Sequence, residues 1–305
     1  MRTPNLRRRN VILGAGAALL AGRAVAAPSF KTVEPGFLTV ANSGEMPMVG
    51  FDGDKMIGSD ADMVAAIAAK LGLGVKSALM EWSATVQSIR SGRADIMVGN
   101  MGWSVPRAQV LSITDAIYYA GAFAAVRKDS KLPDAVTIAD MKSRSIGTVT
   151  GFTIVPEMKK VPGTTEVKLY DNSDASIRDV VAGRLDFTIL DGPLMDYLIL
   201  KNPDWGLRTV AIKPDPAFPQ ITSKQHTVMG MNQENHDLFD AVNDGVKWLW
   251  ASKTNAALIR KYGIDNEDYL DPPSPNPRVG VDRTADGRLT GPGAHTPKDF
   301  SALFA

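Results

Sequence analysis

Twice in this chain a helical segment stops at glycine and is followed by Arg-x-Asp and a short apolar run. The phrases are "SGRADIMVGN" at 91–100 and "AGRLDFTILD" at 182–191. Glycine tolerates the left-handed conformation that caps a helix, and the run after it has the length of a buried strand. The two phrases lie about one small α/β unit apart. Strands of an open α/β sheet present their carboxyl ends to the ligand crevice. Asn100 and Asp191, which close the two phrases, are therefore expected to face one another across a cleft.

The surrounding sequence repeats the same grammar. Phe37–Asn42 reads as a strand, and Asp60–Leu71 as a helix with Met63, Ile67 and Leu71 on one face and Gly72 as its stop. Val75–Met80 is a second strand, Ala84–Arg90 a second helix and Asp95–Val98 a buried strand. "AGAFAAVRKD" then leaves the first unit, and a second unit alternates in the same way: a strand in "SIGTVTG", a helix at Ile154–Lys160, a strand at Val167–Tyr170, a helix at Ser173–Val181 and a strand at Leu185–Leu190. "HTVMGMN" reads as a return strand, with helices between Asp237 and Tyr262. Such alternation predicts mainly parallel sheets flanked by helices. The expected fold class is α/β and two-lobed: lobe 1 from residues 27–120 and 226–270, lobe 2 inserted as 121–225, and hinge strands near Ile117–Gly121 and Gln225–Met229.

Both ends differ from this body. Residues 1–26 carry Arg2, Arg7, Arg8, Arg9 and Arg23 and no acid, with an apolar stretch from Val11 to Leu20 and Ala24-Val25-Ala26 before Ala27. That is the layout of a cleavable export signal, and its apolar part is about half of what a membrane span needs. Arg8-Arg9-Asn10-Val11-Ile12 resembles the twin-arginine pattern, with the general secretory route as the alternative. Without those five arginines the chain carries 29 basic and 33 acidic residues, so nucleic acid is not an implied partner. There is no cysteine, hence no disulfide and no lipid anchor through an N-terminal thiol. A periplasmic location is expected. From Asp271 onward, six prolines and four glycines in 35 residues read as a loose or wrapping extension.

Several residues sit where binding chemistry is expected. Arg107 follows a strand end and a glycine-containing loop, where a guanidinium can hold a carboxylate through two parallel hydrogen bonds; position alone favours the plainer reading, an arginine solvated on the surface. Gly151 and Thr153, in "TVTGFTIV", offer backbone N–H groups and a hydroxyl at a helix start, or an ordinary cap. Asp191 can pair with an ammonium or simply form the turn before Gly192-Pro193. Trp82 and Trp103 can serve as apolar or cation-binding walls or as core. No nucleophile–base pair is evident, His226, His236 and His295 are too scattered for a metal set, and no cofactor is expected.

Taken in order, "GDKMIGSDADMVAAIAAKLG", "EWSATVQSIRSGRADIMVGNMGWSVPRAQVLSITDAIYYAG", "GTVTGFT" and "AGRLDFTILDGPL" resemble the family 3 solute-binding proteins, the polar amino-acid receptors of ABC importers. The similarity runs from about Phe37 to Asn266. It implies a monomeric, non-enzymatic receptor for an amino acid or related zwitterion, with an importer permease as partner. By position it implies that Arg107 binds the ligand carboxylate, Gly151 to Thr153 the anion loop, Asp191 the ammonium, and Trp82 the stacking wall. Asn100, Gly102 and Ser104 join the candidate site. There are departures: Gly102 stands where a hydroxyl residue is usual, and Glu45 and Met46 stand where an aromatic precedes Pro47. Glu45 leaves a cationic ligand open, and Met46, Met48, Trp82, Trp103 and Leu190 suggest an apolar pocket. The same fold also resembles periplasmic dehydratases of cyclohexadienyl amino-acid precursors, which is the enzymatic alternative; a sensor subunit is the third.

Overall fold

The computed structural model describes residues 30–305, so the expected export signal and its cleavage site lie outside the described residues. The chain starts with β1 (Phe37–Asn42), a hairpin β2 (Gly50–Asp52) and β3 (Lys55–Ile57), α1 (Ser59–Lys70), β4 (Gly74–Leu79), α2 (Trp82–Arg90), β5 (Ile96–Met97), α3 (Val105–Ala108) and β6 (Ser112–Ile113). After β7 (Tyr118–Ala120) come β8 (Ala122–Arg127), β9 (Ala135–Val136), β10 (Ser145–Val149), α4 (Val155–Met158), β11 (Glu166–Tyr170), α5 (Ser173–Val181), β12 (Phe187–Asp191), α6 (Gly192–Lys201), β13 (Leu207–Ile212) and α7 (Pro219–Thr222). β14 (Gln225–Thr227) returns the chain to β15 (Gly230–Met231), α8 (His236–Ala251) and α9 (Thr254–Lys261).

Two sheets result, one per lobe, ordered β4-β1-β5-β15-β6 and β11-β10-β12-β8-β13-β9. The β-α-β crossovers make β4, β1 and β5 parallel to one another, and likewise β11, β10 and β12. One strand in each sheet runs against these neighbours: β15 beside β5, and β8 beside β12. Each of those two is the first strand after the chain crosses between lobes, so it leaves the cleft edge while the crossover strands run toward it. The crossings themselves, β7 and β14, pair antiparallel with Tyr119 opposite His226.

The repeated phrase folds as two equivalent turns. Gly92 and Gly183 follow α2 and α5 at φ values of 69° and 71°, a left-handed cap that a side chain would strain. The strands that follow bury Ile96, Met97 and Val98 in one lobe and Phe187, Ile189 and Leu190 in the other, all at 1% exposure or less. Apolar cores therefore sit beneath both sheets.

Residues 271–305 wrap the first lobe in an ordered path. Arg278 is 2% exposed; it donates to the carbonyls of Thr114 and Ile113 at 2.6 and 3.1 Å and makes a two-point pair with Asp282. Arg283 donates to the Ile113 carbonyl at 2.6 Å. Further on, His295 contacts Asp240 at 2.8 Å and the Phe304 ring lies 5.9 Å from that of Trp248. Of the two forms expected from the sequence, these contacts are those of the wrapping one, held by buried arginine pairs together with the apolar side chains of Leu289, Phe300, Leu303 and Phe304. Just before it, the Tyr269 hydroxyl donates to Asp196 on α6 of the second lobe at 2.8 Å.

Candidate functional site

The carboxyl ends of six crossover strands converge on one cleft. Glu45 follows β1, Trp82 follows β4 and Asn100 follows β5; from the other lobe Gly151 follows β10, Ser173 follows β11, and Asp191 ends β12. This convergence is a consequence of parallel β-α-β winding, which sends every such strand toward the same edge.

Trp82, Asn100, Gly102, Arg107, Phe152, Thr153 and Asp191 line a single cavity. Its volume is about 10 Å³, no more than one water requires, because the two lobes touch across it. Arg107, 8% exposed, donates one guanidinium N–H to the Gly102 carbonyl at 2.7 Å and another across the cleft to the Gly151 carbonyl at 3.0 Å. Its guanidinium also lies 5.5 Å from the Trp82 ring. Burial lowers its pKa to about 10, and Asp191 opposes that shift.

Asp191 responds in the opposite sense. Burial raises its carboxyl to about 7, offset in part by a hydrogen bond from Asn100 and by the Arg107 charge, while Glu45 and Asp60 push it further up. A ligand ammonium at this carboxylate would pull it back down. An anionic acceptor and a cationic donor thus face one enclosed space from opposite lobes.

Backbone shape is fitted to the approach of the lobes. Gly151 has φ 86°, and a Cβ there would come within 3.2 Å of the Ser83 backbone in the first lobe. A Cβ on Gly102 would meet the Thr153 side chain at 3.4 Å, so the hydroxyl missing at 102 is matched by one that Thr153 brings from the opposite lobe.

The other candidates fall outside this cavity. Ser104 precedes α3 and lines an adjoining apolar groove of about 500 Å³ with Val105, Arg107 and Val155. Met46 lies over Gly50, where a Cβ would meet its sulfur at 2.5 Å. Glu45 lines a space of about 240 Å³ beside Glu81, Trp82 and Asp171, and its carboxylate is engaged by Ser173. Trp103 and Met48 are core residues at 3% and 2% exposure, and Leu190 is fully buried. The sequence reading missed Phe152, whose ring meets that of Trp82 edge-on at 6.3 Å and 78°. Its position between Gly151 and Thr153, both singled out, was the available signal.

The fold and this cleft define a two-lobed periplasmic-binding-protein architecture. Residues 38–265 match the bacterial extracellular solute-binding proteins, family 3, and the chain belongs to that family. It is 26% identical over 275 residues to the L-cystine-binding protein TcyJ of Escherichia coli K12, covering 87% of this chain and 99% of that protein. The histidine-binding periplasmic protein of Salmonella typhimurium is 24% identical over 68% of this chain and 79% of its own length. Among solved structures, an ancestral arginine-binding protein bound to glutamine superposes with a TM-score of 0.67 at 23% identity, covering 76% of this chain and all of that one. The 35-residue tail lies beyond the part matched by the family.

Proposed function

We propose that this protein is a periplasmic receptor that closes its lobes around an amino acid or a related small zwitterion and presents the closed form to an ABC importer. The observation that carries this reading is the placement of Arg107 and Asp191, opposite in charge and contributed by opposite lobes, on one cavity walled by Trp82 and Phe152. Closure is a hinge motion about β7 and β14, driven by the ligand's greater affinity for the closed state. Arg107 holds the ligand carboxylate, with Thr153 and the N–H groups beside Gly151 as further donors, and Asp191 holds the ammonium. Each charged end of a zwitterion is thereby desolvated only when both lobes engage it, which links recognition to closure.

The relatives named above support the substrate class, since cystine, histidine and arginine share the α-ammonium and α-carboxylate. The expected monomeric state, export by the twin-arginine route and the role of Ser104 belong to this proposal too. The dehydratase reading draws on the burial of Asp191 in the cavity, which moves its carboxyl up to about 7, where a general acid operates. Thermal-shift screening against amino acids, opines and other zwitterions tests the receptor reading, because a ligand that binds only the folded protein raises its melting temperature. Product formation from prephenate or arogenate would instead establish the enzyme.

A further inference from the structure

Asp60, in the first turn of α1, is 0% exposed and forms no ion pair with a cation among the described residues. Its carboxylate collects four hydrogen bonds instead. One oxygen accepts from the Ser59 hydroxyl at 3.1 Å and the Tyr118 hydroxyl at 3.0 Å. The other accepts from the backbone N–H groups of Gly99 and Asn100 at 3.2 and 2.7 Å. A buried carboxylate survives only if its desolvation is compensated, and here the compensation comes from a hinge strand and from the loop of the binding cleft.

Those two backbone donors belong to a strained turn. Gly99 has φ 115° and Asn100 φ 51°; Asn100 is one of three non-glycine residues with positive φ among the described residues. Successive N–H groups that converge on one anion form a nest, and the anion here is the Asp60 side chain. The turn in its turn aims the Asn100 side chain: its Oδ1 accepts from the Thr227 hydroxyl at 2.7 Å, and the residue lines the cleft cavity together with Asp191. Tyr118 and Thr227 stand opposite one another in the paired crossing strands β7 and β14. One buried carboxylate therefore connects the hinge pair to the cleft loop, whose Asn100 faces the same cavity as Asp191.

We propose that Asp60 is a positioning residue for the ligand ammonium: it holds the Gly99–Asn100 turn so that the Asn100 amide meets the Asp191 carboxylate when the lobes close, and it ties that turn to Tyr118 in the hinge. The proposal rests on the zwitterion reading for its effect on binding, whereas its effect on the turn does not depend on any ligand. A single acceptor oxygen toward the turn is sufficient. The amide of an asparagine at 60 can turn its oxygen to Gly99 and Asn100 and its NH₂ toward the Tyr118 and Ser59 hydroxyls, which also accept. Alanine supplies neither.

The test uses the mature protein and the variants Asp60→Asn, Asp60→Ala, Asn100→Ala and Asp60→Ala/Asn100→Ala. Amide hydrogen exchange at Gly99 and Asn100 is read without ligand; calorimetry uses L-arginine, L-histidine, L-glutamine and L-cystine as separate titrants. Asp60→Asn is expected to keep both amides protected and to keep affinity within roughly 3-fold of wild type. Asp60→Ala is expected to expose both amides and weaken binding roughly 10-fold or more. The double variant is expected to be no weaker than the worse single one, because residues acting through one contact are not additive. Protected amides in Asp60→Ala, or losses that add in the double variant, overturn the proposal. Should Asp60→Ala fail to fold, Asp60→Asn alone decides, since unprotected turn amides in that variant also overturn it. If no titrant binds wild type, the zwitterion reading is what has failed for these ligands, and hydrogen exchange still decides the role of Asp60.

Discussion

The Glu45 carboxylate spans the cleft and accepts two hydrogen bonds from Ser173, one from its backbone N–H at 2.9 Å and one from its hydroxyl at 3.1 Å. Ser173 is the first residue of α5, where unpaired N–H groups and the helix dipole favour an anion. The contact joins the lobes beside the cavity of Arg107 and Asp191 without being part of its lining.

Replacing Glu45 with alanine should therefore weaken binding of every ligand that depends on closure. Burial offsets part of these two hydrogen bonds, so the loss should lie at the low end for a hydrogen bond to a charged group, about 1.5 kcal/mol or roughly 10-fold in affinity. Glu45→Gln keeps an acceptor for the Ser173 N–H and should lose less. Calorimetry with L-glutamine and L-arginine separates this from a role in side-chain recognition: a loss confined to the cationic ligand would show that Glu45 contacts the ligand rather than the opposite lobe.

A second prediction concerns the tail. Removing Arg278 leaves Asp282 buried without its two-point partner and takes the side-chain donor from the Thr114 carbonyl, while the Ile113 carbonyl keeps Arg283. Breaking a buried pair from one side costs about 3–5 kcal/mol. Urea unfolding of Arg278→Ala should show a loss in that range, while Arg288→Ala, whose pair with Asp286 is mostly solvated, should change stability by under about 1 kcal/mol. Truncation after Leu270 should destabilise the first lobe for the same reason. If Arg278→Ala unfolds like wild type, the tail is not a structural part of that lobe.

How much of this was legible beforehand depends on the distance over which each feature is decided. The caps at Gly92 and Gly183, the helix at Ser173–Val181 and the convergence of Asn100 with Asp191 follow from local turn chemistry and strand polarity, which a sequence displays directly. The helix Gly192–Lys201 went unread although Leu194, Met195, Leu198 and Ile199 recur at helical spacing, because Gly192-Pro193 at its start reads equally as a turn. Glu45 was read as a possible ligand contact because nothing near it in sequence reveals Ser173, which lies 128 residues away. The tail's proline content correctly signals irregular backbone, but the burial of Arg278 depends on carbonyls 164 and 165 residues upstream. Asp60 was missed for the same reason: it has the ordinary look of an acid in a first helical turn, and its four donors come together only in the fold.

Protonation of the cleft supplies a third prediction. Burial raises Asp191 to about 7 and moves Glu45 in the same direction, whereas a solvated carboxylate titrates near 4. The closed form without ligand thus takes up protons relative to the open form. For Asp191 the resulting advantage is complete below about pH 4 and is lost as the pH rises through about 7. Small-angle scattering of the unliganded protein should therefore give a smaller radius of gyration at pH 5 than at pH 8, with Asp191→Asn largely abolishing the difference. A radius that does not change with pH, or that shrinks as the pH rises, would contradict the burial of Asp191 on closure.

The sharpest prediction concerns the two charges themselves. On the receptor reading, Arg107 and Asp191 grip opposite ends of one ligand from opposite lobes, and truncating either leaves a ligand charge desolvated and unpaired. Such a truncation costs about 2–5 kcal/mol, so Arg107→Ala and Asp191→Ala should each weaken binding by roughly 30-fold to several thousand-fold. Arg107→Lys should recover little, because the two N–H groups that reach Gly102 and Gly151 come from different guanidinium nitrogens, a fork that a single ammonium cannot reproduce. Folding stability should fall far less than affinity for Asp191→Ala, since removing a buried carboxylate also removes its desolvation cost. A ligand lacking its ammonium separates the two roles: it should bind wild type weakly, lose little more in Asp191→Ala, and still lose heavily in Arg107→Ala. Tight binding of a simple dicarboxylate, together with unchanged amino-acid binding in Asp191→Ala, would show that the cleft recognises an anion and not a zwitterion.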